Sequence, residues 1–413
     1  MLVESNLPAG TPAPEKSDSS SLRQWLSVGA VAIGAFAFVT TEFLPVGLLP
    51  HVAKELDVLP GTAGLMVTTP GVIAALSAPG LMLGAGRMDR RHVFLLLTAL
   101  LLASNLLSAF APNFAVMLVG RALLGAALGG FWTLATAAAG RLVQPKDAAK
   151  ATAMILTGVT CATVIGVPLG TFIAGFSSWR FSFLATGVLV AIALVAQLLL
   201  VPSLPSSAAL RFSDLIELIR RPYARRSMLM VGLVFGAHFC SYTYITPFLL
   251  HDASFGMSTI TWLLLGFGVI GFFSNFAVSS TVDRSIKASV AMMVSLMMFA
   301  LLSMPLLRHS QLAVTVDVLA WGISFGALPL CFSVWIQRAT PDLPEAGSAL
   351  FVSIIQVAIA VGSLVGGTIV DSIGIPPDFL LGGALALLGL AALASFGRST
   401  VAQADRECLA TPE

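Results

Sequence analysis

Glu42 and Asp317 are carboxylates set inside apolar stretches, 25–49 and 312–334, that carry no other acidic residue. A charge at bilayer depth costs about 2.5–3.5 kcal/mol on insertion scales, so such residues usually mark an ion or substrate path. For Asp317 the alternative is a carboxylate close enough to a helix end to reach the headgroups. Arg121 lies in a third apolar stretch, between Gly120 and Gly125. A buried guanidinium cannot shed its proton, so it needs either a carboxylate or backbone carbonyls around it. His238, Tyr242 and Tyr244 share one stretch; the spacing of four puts His238 and Tyr242 on one helical face and leaves Tyr244 off it. With Trp132, Trp321 and Gln356 they are candidate cavity-lining groups, able to stack on or hydrogen-bond a polar ring. The competing reading for each is hydrogen-bonded packing.

The elements that must position these groups are membrane helices. Of 413 residues 57% are hydrophobic and 10% charged, against about 25% charged in soluble domains. The net charge of +2 argues against a nucleic-acid partner. Cys161, Cys240, Cys331 and Cys408 are far apart and show neither metal-ligand nor disulfide spacing. Apolar segments of span length fall near 25–49, 60–84, 92–111, 114–139, 151–175, 180–201, 227–250, 259–280, 288–307, 312–334, 346–370 and 378–397. These twelve predict an all-α membrane protein, with the closest boundary at Pro112. Residues 1–22 are polar and rich in Ser and Pro, as expected of a disordered tail and not of a signal peptide. Residues 399–413 read as a second loose tail.

Eighteen lysines and arginines fall in segments on the side of the N-terminus, and only Lys54, Arg180 and Arg308 on the other. The positive-inside rule therefore predicts that both termini are cytoplasmic. The longest connection, 202–226, holds Pro202, Pro205 and a cluster of five arginines, and divides the chain into bundles at 23–201 and 227–398. The halves echo each other. Asp89-Arg90 recurs as Asp283-Arg284 at an offset of 194, Arg141 as Arg338 at 197, and Pro45 as Pro247 at 202. Parallel repeats of six helices follow, with a binding site at their interface near the midplane.

Two motif matches fail on context. Gly266–Gly271 spells a dinucleotide fingerprint and Gly322–Gly326 a serine-hydrolase elbow. The first needs a strand before it and the second a strand-turn-helix, and both sit within apolar helical stretches. A residual enzyme reading would join Ser324 to His238. No feature calls for ATP, a metal or an organic cofactor.

The spans, the basic central loop and the loop motifs resemble the major facilitator superfamily, in particular its drug:proton antiporter branch. Glu42-Phe43-Leu44-Pro45-Val46-Gly47-Leu48-Leu49 is similar to the first-helix motif of sugar (arabinose) and purine-ribonucleoside efflux members. Gly120-Arg121-Ala122-Leu123-Leu124-Gly125, Gly129-Gly130-Phe131-Trp132, Tyr242-Thr243-Tyr244-Ile245, Ala346-Gly347-Ser348 with Gln356, and Gly366-Gly367 before Asp371 carry the same likeness. The resemblance implies two six-helix bundles, a bacterial inner-membrane location, a monomer, and proton-coupled export of small polar metabolites or drugs, among them purine nucleosides, sugars and chloramphenicol-like compounds. It implies proton coupling through Arg121, with Glu42 as its natural partner, and Asp317 is a further proton-coupling candidate from its place in an apolar stretch. Asp89, Arg90 and Arg91, with Asp283 and Arg284, resemble the gating loops, Asp89 standing in as a latch between the halves; positive-inside charge alone is the alternative. Gly158, Gly166, Pro168 and Gly170 resemble the antiporter motif, with Val167 interposed before the proline. A helix-packing seam explains these residues equally well. Uptake by symport or uniport, and a membrane enzyme or sensor, are the competing functions.

Overall fold

The computed structural model describes residues 20–84, 88–204, 212–282 and 284–396. Described residues form helices and their connections, with no strand among them. We label the long helices α1 (Leu22–Glu55), α2 (Leu65–Gly84), α3 (Arg90–Ala109), α4 (Phe114–Leu142), α5 (Ala148–Phe176), α6 (Trp179–Leu200), α7 (Pro222–Tyr242), α8 (Met257–Val282), α9 (Ile286–Ser303), α10 (Gln311–Ala339), α11 (Pro344–Ile373) and α12 (Ile375–Ala394). Ten helices among the described residues are long and apolar enough to cross a bilayer, or eleven if α7 and its bent continuation are one span. Large apolar side chains on their outer faces, such as Leu76, Phe176, Trp262 and Leu312, are two-thirds exposed or more. Such a surface is stable only against lipid.

Several ends follow local rules. Ser21 and Gln24 make a capping box at the start of α1. Asn113 caps α4 only four residues beyond the end of α3, so the tight turn at Pro112 is as the sequence predicts. The seventh stretch is broken where one helix was expected: α7 stops at Tyr242 and resumes over Ile245–Asp252 at an angle of 43°. Pro247 has no N–H to offer the carbonyl four residues back, which frees the Thr243 turn.

The helices pack in a repeating pattern. α1 packs on α5 and α6, α2 on α4, and α3 on α4 and α6; α7 packs on α11 and α12, α8 on α10, and α9 on α10 and α12. Each pairing recurs six helices later. The two sets meet through α2 against α11 and α5 against α8, contacts that exchange under the same operation. We call the end of the assembly where α1 and α11 finish the distal end.

Candidate functional site

Pro45 and Pro70 shape the polar centre of the first helix set. A proline in a helix removes the donor for the carbonyl four residues earlier, which here means Thr41 in α1 and Met66 in α2. Arg121 on α4 supplies both missing donors. Its Nε donates to the Met66 carbonyl at 2.7 Å, one terminal nitrogen to the Thr41 carbonyl at 2.7 Å, and the other to the Glu42 carbonyl at 2.8 Å. The guanidinium is wholly buried. Arg121 thus makes its direct hydrogen bond to the Glu42 backbone and none to the Glu42 carboxylate, although the two side chains lie close enough to interact electrostatically. A planar fork with five donors suits this role where an ammonium would not.

The Glu42 side chain turns instead toward the second helix set. Its carboxylate, 4% exposed, accepts a hydrogen bond from Gln356 Nε2 on α11 at 3.2 Å. Gln356 begins a stripe on α11 formed by Ala360, Ser363, Gly367 and Asp371, spaced three and four apart and so on one face. Ser363 and Thr68 hydroxyls are 2.8 Å apart, and Gly71 is close enough to Ala360 that a Cβ there would sit 3.0 Å from the alanine methyl. At the distal end Asp371 accepts from the Gly61 N–H at 2.6 Å and from the Thr62 hydroxyl at 2.9 Å. Tyr244 donates to the Ser363 carbonyl at 2.8 Å and lies 3.3 Å from the Gly61 carbonyl. Gly61 and Gly64 make this approach possible, since a Cβ on either would collide with the Gly367 carbonyl or the Tyr244 hydroxyl. Thr261 on α8 adds a bond to Thr171 on α5 at 3.0 Å. The helix sets are thus joined by polar contacts running from the level of Glu42 to the distal end.

Beside this seam lies a cavity of about 180 Å³ between α5, α7, α8 and α10. Aromatic rings of Phe43, Phe239, Phe267 and Phe325 wall it, with His238 and Tyr242. Its floor is glycine. Gly271 on α8 packs on Gly326 of α10, where a Cβ would collide with the Gly271 backbone, and a Cβ on Gly322 would stand 2.7 Å from the Phe267 carbonyl. Of the glycines that spell the two rejected motifs, Gly266, Gly271, Gly322 and Gly326 form the seam between α8 and α10, and Gly268 packs against Val164 of α5. Ser324 donates to the Met293 carbonyl at 2.6 Å and is no nucleophile paired to His238.

Of the six substrate candidates, only His238 and Tyr242 border the cavity. Tyr244 and Gln356 belong to the interhelical seam, Trp321 stands behind His238 and donates to it, and Trp132 packs on Phe131 inside the first set. Asp317 sits away from Glu42, half-buried, accepting from Ser303 at the end of α9 at 2.8 Å. The latch expected of Asp89 does not cross the halves. Its carboxylate accepts from the Ser203 hydroxyl, the Leu204 N–H at 2.8 Å and the Arg91 N–H at 2.9 Å, all within the first set and the segment leaving α6. These bonds, that from Ser203 foremost, hold the Asp89 carboxyl down to about 2. Arg91 also donates to the Leu198 carbonyl at 2.7 Å, and the Arg90 N–H reaches the Leu204 carbonyl at 3.0 Å. Arg284 is exposed, and Asp283 lies outside the described residues. In α5, a Cβ on Gly158 or Gly170 would collide with Ala32 or Leu44 of α1 and one on Gly166 would crowd Thr40 at 3.0 Å, and Pro168 is buried between them in sequence. The three glycines form a packing seam between α5 and α1.

Two polar groups escaped the sequence reading. Asp371 follows the Gly366-Gly367 motif with no role evident from it, although its position on the stripe with Ser363 and Gln356 is legible by spacing. Asp378, in the first turn of α12, is fully buried; one oxygen accepts from the Cys240 thiol at 2.8 Å and the other has no partner. It was missed because it lies at the edge of its apolar stretch, next to Pro376 and Pro377.

Comparison with known proteins agrees with this architecture. Residues 31–360 match the sequence profile of the Major Facilitator Superfamily. The chain is 33% identical over 371 residues to the purine ribonucleoside efflux pump NepI of Escherichia coli (strain K12), covering 90% of this chain and 94% of that one. It is 32% identical over 385 residues to NepI of Salmonella paratyphi B, covering 93% and 97%. Among solved structures it resembles the nucleoside transporter NupG, at a TM-score of 0.74 and 14% identity, and the human organic anion transporter MFSD10, at 0.67 and 18%. Each alignment covers 90% of this chain and 99% of the other. At those identities the likeness concerns the fold alone.

Proposed function

The chain belongs to the Major Facilitator Superfamily, and from that premise we propose that it exports purine ribonucleosides in exchange for protons. It is a multi-pass membrane transporter and not an enzyme. The substrate class rests on the named relatives, and the coupling on one observation: a buried carboxylate, Glu42, bonded across the helix sets to Gln356. In this reading α2 is the remaining span, giving twelve crossings in two pseudo-symmetric bundles, 23–201 and 227–398, joined by the linker 202–226. Both termini are cytoplasmic, the distal end faces outward, and the protein works as a monomer in a bacterial inner membrane.

The distal seam is then an outer gate in its closed position. Substrate enters from the cytoplasm beside the aromatic walls. Opening the outer gate breaks the Gln356–Glu42 bond and brings outside water to the carboxylate. A proton taken up there neutralises Glu42, substrate leaves, and the return stroke carries the proton inward. Arg121 keeps α1, α2 and α4 registered through the cycle, because its carbonyl contacts do not depend on the charge of the Glu42 side chain.

The test uses proteoliposomes with a trapped pH dye. Adding a purine ribonucleoside to wild type should move protons, while Glu42→Gln should retain nucleoside counterflow and move none. Equal proton movement in both would remove Glu42 from the coupling path. No response to any nucleoside, with another solute active, would overturn the substrate class.

A further inference from the structure

His238 carries an unfinished hydrogen-bond arrangement. Its Nδ1 lies 3.1 Å from Trp321 Nε1. An indole nitrogen only donates, so Nδ1 is the acceptor and a neutral imidazole must hold its proton on Nε2. That Nε2–H has no partner, although the residue is fully buried. Leaving a buried donor unmatched is costly, so the arrangement is stable only if the surrounding packing over-determines it. The packing does so: the ring stacks on Phe325 on one face and near Tyr242 on the other, while Phe239 and Trp321 meet it edge-on. Trp321, itself fully buried, fixes which nitrogen is protonated.

The same imidazole borders the cavity. Besides the Tyr242 hydroxyl, which makes no hydrogen bond among the described residues, the other polar side chains there are engaged. Thr160 and Thr163 donate to carbonyls of their own helix at 3.0 and 2.8 Å, and Asn275 donates to the Gly326 carbonyl at 3.1 Å. Backbone at Gly268, Gly271, Gly322 and Gly326, the rings of Phe43, Phe239, Phe267, Phe272 and Phe325, and the aliphatic groups of Val159, Val164, Val167 and Pro329 complete the walls. Aromatic and glycine surfaces suit a planar ring held by stacking, and a fixed lone donor at its edge suits an acceptor in the plane of that ring.

We infer that His238 is a specificity-determining donor, set in one tautomer by Trp321, that reads an acceptor atom on the edge of a planar heteroaromatic ring. This deepens the nucleoside reading above and rests on it: the base enters between the aromatic walls, and a ring nitrogen of the base takes the Nε2–H. Tyr242, stacked on the imidazole, holds its plane and is a positioning residue. A site built around one hydrogen bond discriminates strongly against a ligand that lacks the partner atom, because the buried donor then goes unmatched.

The experiment measures binding of adenosine and its 1-deaza, 3-deaza and 7-deaza analogues to purified protein. Each analogue replaces one acceptor nitrogen by C–H at nearly constant shape. For wild type, one of the three should bind about tenfold more weakly than adenosine or worse. In His238→Phe that analogue and adenosine should bind alike. His238→Gln, whose amide again offers a donor, should restore part of the difference. Trp321→Phe, which releases the tautomer, should shrink the difference without abolishing binding. A flat analogue series in wild type, or an unchanged difference in His238→Phe, would overturn the inference while leaving nucleoside transport intact. Failure of wild type to bind adenosine, guanosine or inosine would instead overturn the nucleoside reading, and the inference with it.

Discussion

Arg121→Met should cost most of its stability through two carbonyls made partnerless by proline. Pro45 and Pro70 leave the Thr41 and Met66 carbonyls without helix donors, and Arg121 fills both at 2.7 Å. Its third acceptor, the Glu42 carbonyl, still has the Val46 N–H in helical register, so its loss matters less. A buried acceptor left unsatisfied costs about 1–3 kcal/mol, which gives about 2–6 kcal/mol for the substitution. The prolines supply the control. In a Pro45→Ala, Pro70→Ala background each freed carbonyl regains an N–H, and the same Arg121→Met change should lose most of its effect. The cycle subtracts whatever straightening the alanines cause on their own. Unfolding of the four proteins in mild detergent, followed by tryptophan fluorescence, measures the coupling, expected at about 2 kcal/mol or more. An equal loss in both backgrounds would refute the reasoning and show that Arg121 acts through something other than the proline-freed backbone, the Glu42 carboxylate being the next candidate.

Asp371→Ala removes the acceptor of the Gly61 and Thr62 donors at the distal end; an Ala360→Cys reporter should then react about tenfold faster with an impermeant thiol reagent added outside, corresponding to about 1.4 kcal/mol of lost gate closure, and an unchanged rate would place the gate elsewhere. Gly326→Val drives a branched side chain into the Gly271 backbone, and should cost about 3 kcal/mol or more with loss of α8–α10 packing; a melting temperature within a degree of wild type would contradict the close approach. Asp89, held down to about 2 by Ser203, Leu204 and Arg91, contributes stability that is complete above the ordinary carboxylate range near 4 and is lost as pH falls toward 2. Asp89→Asn should therefore melt below wild type at pH 7, and the gap should close between about pH 4 and 2; a gap that is constant with pH would mean the carboxylate charge is irrelevant to the tie between α3 and the segment after α6.

Much of the architecture was legible because lipid imposes a severe composition. A helix in hydrocarbon must satisfy its own backbone and show apolar atoms outward, so the apolar stretches, the tight turn at Pro112 and the echo of Asp89-Arg90 at Asp283-Arg284 could be read one residue at a time. Local sequence also identified Glu42 and Arg121 as out of place, since polarity in such a stretch needs a reason. The break after Tyr242 was legible in principle from Pro247, as were the two acceptors of Arg121 from Pro45 and Pro70. Reading them required asking where each lost backbone bond goes.

Partners were another matter, because they depend on which faces meet. Glu42 pointed by resemblance to Arg121, yet the arginine took the backbone and the carboxylate found Gln356, 314 positions away. Asp89 looked like a bridge between halves and became a tie within one. Trp132 and Trp321, equally plausible as cavity lining, turned inward, while Phe43, Phe239, Phe267 and Phe325 formed the walls; among 26 phenylalanines no periodicity marks those four. The amino-acid sequence by itself determined the membrane, the helices and the presence of costly polar groups, for these follow from solvent and backbone rules acting along the chain. Only the tertiary structure decided which polar group answers which, because a hydrogen bond is satisfied by position, and position between helices is set by packing that no local stretch encodes.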